Sequence, residues 1–150
     1  MIQLNPISPE KLVNTPNISQ IFPLAMEYLT SGKWGDTYWQ PQYEWFYITD
    51  NSYEDFAAQR TWLGIICVTD ESNIIFQGEM HLSVLEVAKP IKGMGIGTEI
   101  VDRLIDIAME CNYECMTLQI RNPNLAHFYE RFGFKYQVIN EVPMYVLNFR

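Results

Sequence analysis

The clearest chemistry in the sequence lies in Lys92-Gly93-Met94-Gly95-Ile96-Gly97-Thr98. An apolar extended run, residues 81–87, precedes these residues and an amphipathic pattern follows them, so the glycines fall at a strand-to-helix turn. Glycine leaves backbone N–H groups unhindered there and lets them converge, while the positive end of the next helix adds to the pull on an anion. Such a turn is either a pyrophosphate cradle or a purely structural connection. The spacing G-x-G-x-G is not the G-x-G-x-x-G of a dinucleotide site, which also needs an acidic residue about twenty positions on, nor the G-x-x-x-x-G-K-[S/T] of a P-loop.

Lys92-x-x-Gly95-x-Gly97 resembles the [Q/R]-x-x-G-x-[G/A] motif of the GNAT superfamily, the Gcn5-related N-acetyltransferases. Lys stands where Gln or Arg is usual and still offers a cation to phosphates. Downstream, Asn122-Pro-Asn-Leu-Ala-His-Phe-Tyr129-Glu-Arg-Phe-Gly133-Phe134 is similar to the family's N-x-x-A-x-x-x-Y-x-x-x-G-F segment. Asn122, Tyr129, Gly133 and Phe134 fall in register, and Leu125 departs from it by occupying the Ala slot. The resemblance covers the C-terminal part of the chain and leaves residues 1–60 without a signature.

The resemblance implies an α/β GNAT acyl-CoA N-acyltransferase fold, with a central mixed, mostly antiparallel sheet, splayed middle strands and helices on both faces. It also implies acetyl-CoA as co-substrate and direct transfer of acetyl to an amine. No covalent enzyme intermediate is needed, which fits a chain with no Cys or Ser in a nucleophile motif. In the family the strand before the glycine loop and the strand after its helix splay apart around the pantetheine arm. Carried onto residues 81–87 and 115–120, this makes the backbone of Leu85, Glu86 and Val87 pair with pantetheine amides. Lys92, Gly93, Met94, Gly95, Ile96, Gly97 and Thr98 then hold the diphosphate, and Asn122 hydrogen-bonds the arm. Asn122 also reads as a turn residue ahead of Pro123 or a cap for the next helix.

An alkyl amine of pKa about 10.4 is neutral in only about one molecule in two thousand at pH 7, a loss of roughly 4 to 5 kcal/mol. A placed base helps, and binding the rare neutral form is the substitute. His81 falls in the strand slot where the histone acetyltransferase branch carries Glu and the arylalkylamine N-acetyltransferases carry His. The resemblance implies it as the base, directly or through water, and an imidazole of pKa about 6.5 can accept a proton near pH 7. Glu79, two residues away on the same strand face, could orient it or replace it. A single strand His is also a common satisfied core residue, and His127 reads as a surface residue. Tyr129 is implied as the acid that protonates or hydrogen-bonds the departing thiolate, and a backbone N–H near Leu85 or Glu86 as the oxyanion donor.

The elements that must position these groups belong to a chain of 150 residues, 48% hydrophobic and 19% charged. That suits a single domain over 1–150. No run of eighteen apolar residues and no signal-peptide pattern appear, so a cytoplasmic protein with no membrane partner is expected. Cys67, Cys111 and Cys115 lack C-x-x-C spacing and indicate neither disulfides nor a metal site. A net charge of −8 argues against nucleic acid and mildly favours a cationic small molecule. A homodimer is left open.

In order, residues 2–4 read as a strand ended by Asn5-Pro6, and Ser8-Pro9 as a helix start. Ile18, Phe22, Ala25/Met26 and Leu29 form a helical stripe broken at Pro23 and ended at Ser31-Gly32. From Tyr28 to Trp62 aromatics crowd together with acids among them, including Trp34, Tyr38, Trp39, Glu44, Tyr53, Glu54, Asp55 and Phe56. Aromatic faces with carboxylates suit an organic cation, so Trp34, Tyr38, Trp39 and Glu44 are candidates for the acceptor pocket; the other reading is rings filling the core under a solvated acidic rim. Residues 43–49 fit a strand or a pair of helical turns. Strands are expected over 61–68 and 74–87, around a turn at 70–73 and with a bulge or bend at Gly78, leaving open one strand or two. A helix over 98–111 stopping at Asn112, a strand over 115–120, a short helix over 124–132 ended by Gly133, and strands over 134–139 and 144–149 complete the chain.

The reading is an acetyl-CoA-dependent N-acetyltransferase acting on a primary amine, best a small cationic one. A protein N-terminus or lysine is the nearest alternative, and tRNA-directed GNAT toxins are disfavoured by the acidic chain. A coenzyme-A-binding sensor or interaction module without transfer is the rival from another class.

Overall fold

The structure, a computed structural model, describes residues 2–50, 62–70 and 78–149. The expected turn residues 71–73, the start of the run at 74–77, and Tyr53, Glu54, Asp55 and Phe56 lie outside the described residues.

Strand β1 (Ile2–Pro6) pairs antiparallel with β2 (Tyr43–Asp50), from Ile2↔Asp50 to Pro6↔Phe46. The expected stop at Asn5-Pro6 gives way to pairing through Pro6. β1 is the outer strand, where a residue without an N–H is tolerated, and Asn5 Nδ2 secures the end by donating to Tyr47 O at 3.1 Å and Thr49 Oγ1 at 3.0 Å. Ser8 Oγ accepts the Lys11 N–H at 3.2 Å and caps α1 (Pro9–Val13). Pro23 breaks the stripe as expected: α2 (Ile18–Ile21) ends before it and α3 (Pro23–Thr30) begins on it.

β3 (Gly64–Asp70) starts later than expected and runs through Asp70. A Cβ on Gly64 would come within 2.9 Å of Ile100 Cδ1 and 3.0 Å of Glu86 O, so close packing requires glycine at the strand's first residue. Gly78, with φ +73, makes the bend just ahead of β4 (Glu79–Val87), and its carbonyl accepts the Glu114 N–H at 2.8 Å. Helix α4 (Ile96–Glu110) starts at Ile96 rather than Thr98; its residues Ile100, Val101, Leu104 and Ala108 are buried, and Asn112 stops it at φ +64. β5 (Cys115–Leu118) is shorter than expected. A 3-10 turn, Pro123–Leu125, precedes α5 (Ala126–Glu130) in place of one continuous helix. β6 (Lys135–Ile139) and β7 (Val142–Asn148) form a hairpin whose loop is only Asn140 and Glu141, with φ 50 and 68. A two-residue primed turn matches strand twist and draws Val142 and Pro143, expected in the loop, into pairing with Ile139 and Val138.

The strands follow the order β1-β2-β3-β4-β5-β7-β6 in a mixed, mostly antiparallel sheet. β4 and β5 pair in parallel from Glu79↔Cys115 to Leu82↔Leu118, and β4 continues beyond that pairing to Val87.

The chain clusters into two compact units. The first comprises Met1–Val68 with Val84–Val101, and the second Thr69–Ser83 with Asp102–Arg150. In the first, Leu12, Phe22, Leu29, Trp45, Ile65 and Cys67 belong to one buried cluster. In the second, Cys115, Met144 and Val146 pack with Ile139 and Val142. Each fully buried Leu, Ile or Phe contributes about 1.5 to 3 kcal/mol.

Candidate active site

In the first unit, β4 ends at Val87, a 3-10 turn spans Lys89–Ile91, and the glycine turn leads into α4. Gly93 and Gly95 hold φ of +84 and +80, which L side chains adopt only with strain. Among the described residues a Cβ at either would meet nothing within 4 Å. Conformation, not crowding, therefore calls for glycine, and the turn's backbone stands bare and open. Ile96 is buried and pins the first turn of α4, whereas Met94 points out at 61% exposure. The N–H groups of Ile96, Gly97 and Thr98 have no acceptor within the helix, while Glu99 N–H returns to Gly95 O at 3.2 Å. Exposed Lys92 flanks the turn. Orphan donors at a helix start, a bare backbone and a cation fit a diphosphate.

Just upstream, the buried Glu86 carboxylate reaches back to α3. Its Oε1 accepts the Ala25 N–H at 2.8 Å and its Oε2 the Leu24 N–H at 3.0 Å. Burial raises its carboxyl pKa, while those two N–H groups and the Lys92 charge pull it back down. With its side chain committed to α3, Glu86 fastens the end of β4 just ahead of the glycine turn, and its carbonyl lies against Gly64 at the start of β3.

The aromatic segment of this unit packs on itself. Tyr28 stacks on Trp34 at 4.5 Å and meets Tyr38 edge-on at 4.7 Å, and Tyr38 contacts Tyr43 at 4.9 Å. Trp39 Nε1 donates to Leu29 O at 2.9 Å, and Lys33 Nζ lies 4.9 Å from the Trp34 ring centroid. Glu44 is exposed.

In the second unit, three polar side chains form a chain between β4 and β5. His81 Nδ1 lies 2.8 Å from Thr117 Oγ1, and Thr117 Oγ1 donates to Glu79 Oε2 at 2.6 Å. Glu79 and Thr117 are fully buried, and the His81 side chain is 12% exposed. Burial pushes the His81 pKa down to about 4, so the ring is neutral at pH 7 rather than part-charged as its ordinary value of about 6.5 suggests. Thr117 has no motif to mark it; the only signal is a hydroxyl in the otherwise apolar run Cys-Met-Thr-Leu.

Tyr129 is buried, held edge-on between Phe128 at 4.9 Å and Phe134 at 5.7 Å. Among the described residues nothing hydrogen-bonds its hydroxyl, and burial raises its pKa to about 12. Exposed Asn122 accepts the Asn124 N–H at 3.0 Å through Oδ1, the geometry of a cap; its Nδ2 donors are not used there. His127 is a surface residue, 3.6 Å from Glu130.

All three cysteines are free thiols. Burial, then the Glu44 charge, pushes Cys67 far up; burial, then Glu79 and Glu114, raises Cys115 to about 11. Neither supplies a thiolate near neutral pH. Among the described residues no group of His, Cys, Asp or Glu could hold a metal ion, and no helix is long and apolar enough to cross a membrane.

A family model described as the acetyltransferase (GNAT) family matches residues 18–134. The N-alpha-acetyltransferase MAK3 of Arabidopsis thaliana is 35% identical over 72 residues, covering 47% of this chain and 37% of that protein, so the chain spans little more than a third of that relative's length. Among solved structures, Tetrahymena GCN5 superposes with a TM-score of 0.69 at 13% identity, over 99% of this chain and 96% of that one. The PaiA N-acetyltransferase of Thermoplasma acidophilum, solved in complex with coenzyme A, gives 0.61 at 13% identity over 99% of both chains. An acetyltransferase from Thermus thermophilus gives 0.61 at 16% identity over 99% and 97%. At these identities the likeness is one of fold.

Proposed function

The chain belongs to the GNAT family of acetyltransferases, and from that premise we propose that it moves the acetyl group of acetyl-CoA directly to a primary amine, in the cytoplasm. The observation that carries this reading is the open glycine turn at the start of α4, with Gly93 and Gly95 at positive φ and no described residue within 4 Å of a Cβ at either. The amides of the turn and Lys92 hold the diphosphate, the backbone of residues 85–87 pairs with the pantetheine amides, and Asn122 donates from its carboxamide. The bound thioester supplies the activated acyl group. Three free thiols suit a reducing compartment.

Proton handling follows from the two shifted groups. Moving a proton straight from an alkylammonium of pKa about 10.4 to an imidazole of pKa about 4 costs about 9 kcal/mol. His81 therefore acts later: the rare neutral amine binds, and the ring takes the proton that the nitrogen sheds as it becomes an amide. Tyr129, with a pKa of about 12, would give its proton to a thiolate of pKa about 8.5 only at a cost of about 5 kcal/mol. Its role is to donate a hydrogen bond to the departing sulfur, where charge develops.

For the acceptor, a net charge of −8 and exposed Glu44 at the start of β2 support a small cationic amine. A second reading, the α-amine of a peptide, is favoured by the similarity to an N-alpha-acetyltransferase; the rings of Tyr28, Trp34, Tyr38 and Tyr43 are engaged in contacts with one another. Thiol release from acetyl-CoA, followed over polyamines, arylalkylamines and short peptides with free α-amines, separates the two. Coenzyme binding without turnover on any of them would leave a binding module.

A further inference from the structure

We infer that Thr117 is a positioning residue for His81, holding the imidazole as its Nδ1–H tautomer so that Nε2 is the nitrogen able to accept a proton. A hydroxyl has one hydrogen and two acceptor lone pairs. Thr117 commits that hydrogen to Glu79 Oε2 at 2.6 Å, in the short range of bonds to a carboxylate. Toward His81 Nδ1, at 2.8 Å, the same oxygen can then only accept. Nδ1 carries the ring hydrogen, and the lone pair is left on Nε2. The reverse order needs a protonated Glu79 donating to Thr117 and leaves Nε2 as a donor with no capacity to take a proton.

The strand register builds this arrangement. Parallel pairing sets His81 opposite Thr117 and Glu79 opposite Cys115, and Glu79 and His81 share one face of β4. Glu79 Oε2 is 4.0 Å from His81 Nδ1, beyond hydrogen-bond reach, so Thr117 bridges what the two cannot close directly. Full burial of Glu79 and Thr117 keeps water from competing. Glu79 Oε1 has no partner among the described residues, which leaves the carboxylate dependent on the Thr117 donor. Beside this chain, Cys115 stays a thiol, Ser83 pairs with Thr69 at 3.2 Å, and Glu114, exposed, acts on Cys115 through its charge.

The tautomer stands on geometry alone, while its kinetic consequence rests on the proposed role of His81. Nitrogen-15 NMR of the imidazoles at pH 7, with His127→Gln to remove the only other histidine, reads the tautomer directly. The expected wild-type ring is Nδ1–H; Thr117→Val shifts it toward Nε2–H and Thr117→Ser restores it. On an amine that turns over, kcat falls at least tenfold in Thr117→Val and returns to within about threefold of wild type in Thr117→Ser, with KM for acetyl-CoA unchanged. An Nε2–H ring in wild type, or an Nδ1–H ring persisting in Thr117→Val, overturns the inference. An Nδ1–H ring in wild type that depends on Thr117, with kcat unmoved, supports the positioning and removes His81 from the chemistry. Should Thr117→Val not fold, the wild-type spectrum and Thr117→Ser still decide the tautomer.

Discussion

Glu86 Oε1 accepts the backbone N–H of Ala25 at 2.8 Å, so a strand side chain caps a helix far from it in sequence. The N-cap residue of α3, Phe22, has no side chain to do this, and Pro23 at the next position brings no N–H. The carboxylate takes both first-turn donors that remain exposed to it, Leu24 and Ala25. The last residues of β4, which lead to the glycine turn, are thereby fastened to α3.

Removing this carboxylate leaves a buried donor at Ala25 and a part-buried one at Leu24 unmet. Glu86→Ala is expected to lower stability by about 2 to 3 kcal/mol, and Glu86→Gln, which keeps one acceptor, by about 1 kcal/mol. Urea denaturation of the two variants checks both the size and the order.

Burial of His81 couples stability to pH. Its folded pKa of about 4 lies below the unfolded value of about 6.5, so the unfolded chain binds the extra proton between these limits. The contribution is complete above pH 6.5 and is lost as pH falls toward 4, amounting to about 3 kcal/mol. His81→Gln should flatten the fall of the urea midpoint between pH 6.5 and 4 relative to wild type; parallel curves would mean that the ring titrates normally.

The same depressed value shapes the rate. With His81 neutral above about pH 4, kcat/KM for an alkyl amine should climb tenfold per pH unit from pH 6 to 9, following the free amine. No inflection is expected near 6.5. An inflection there, absent in His81→Gln, would show a ring charged in the free enzyme.

The legible parts of this chain were those set by local chemistry. The glycine turn, the break at Pro23 and the stop at Asn112 each depend on one residue's backbone freedom, and each lies where the sequence places it. Boundaries shifted where tertiary pairing outweighs the local pattern: Pro6 stays in a strand because it is at the sheet edge, and Val142 and Pro143 join β7 because Asn140 and Glu141 close a tighter turn. Thr117 and the Glu86 cap had no signature, since each acts on a residue distant in sequence. The aromatic segment shows the limit from the other side. Composition marks rings near acids, and only coordinates reveal that Tyr28, Trp34, Tyr38 and Tyr43 face each other.

Tyr129 lends itself to a clean substitution, because its hydroxyl has no partner among the described residues and its ring packing survives in Phe. Tyr129→Phe is expected to lower kcat by about 100-fold, the loss of one well-placed donor to developing charge. Coenzyme A affinity should stay within about threefold and the melting temperature within a few degrees. Unchanged turnover would reassign Tyr129 to packing alone.

The most direct measurement is calorimetric titration of coenzyme A into wild type and Gly95→Ala. Among the described residues a Cβ at residue 95 meets nothing within 4 Å, but it forces a side chain onto φ +80 and covers the bare turn. The expected result is one-site binding with Kd in about the micromolar range, weakened at least tenfold in Gly95→Ala with the fold intact by circular dichroism. No heat with wild type, or equal affinity in the two proteins, would contradict the assignment of the glycine turn as the diphosphate site.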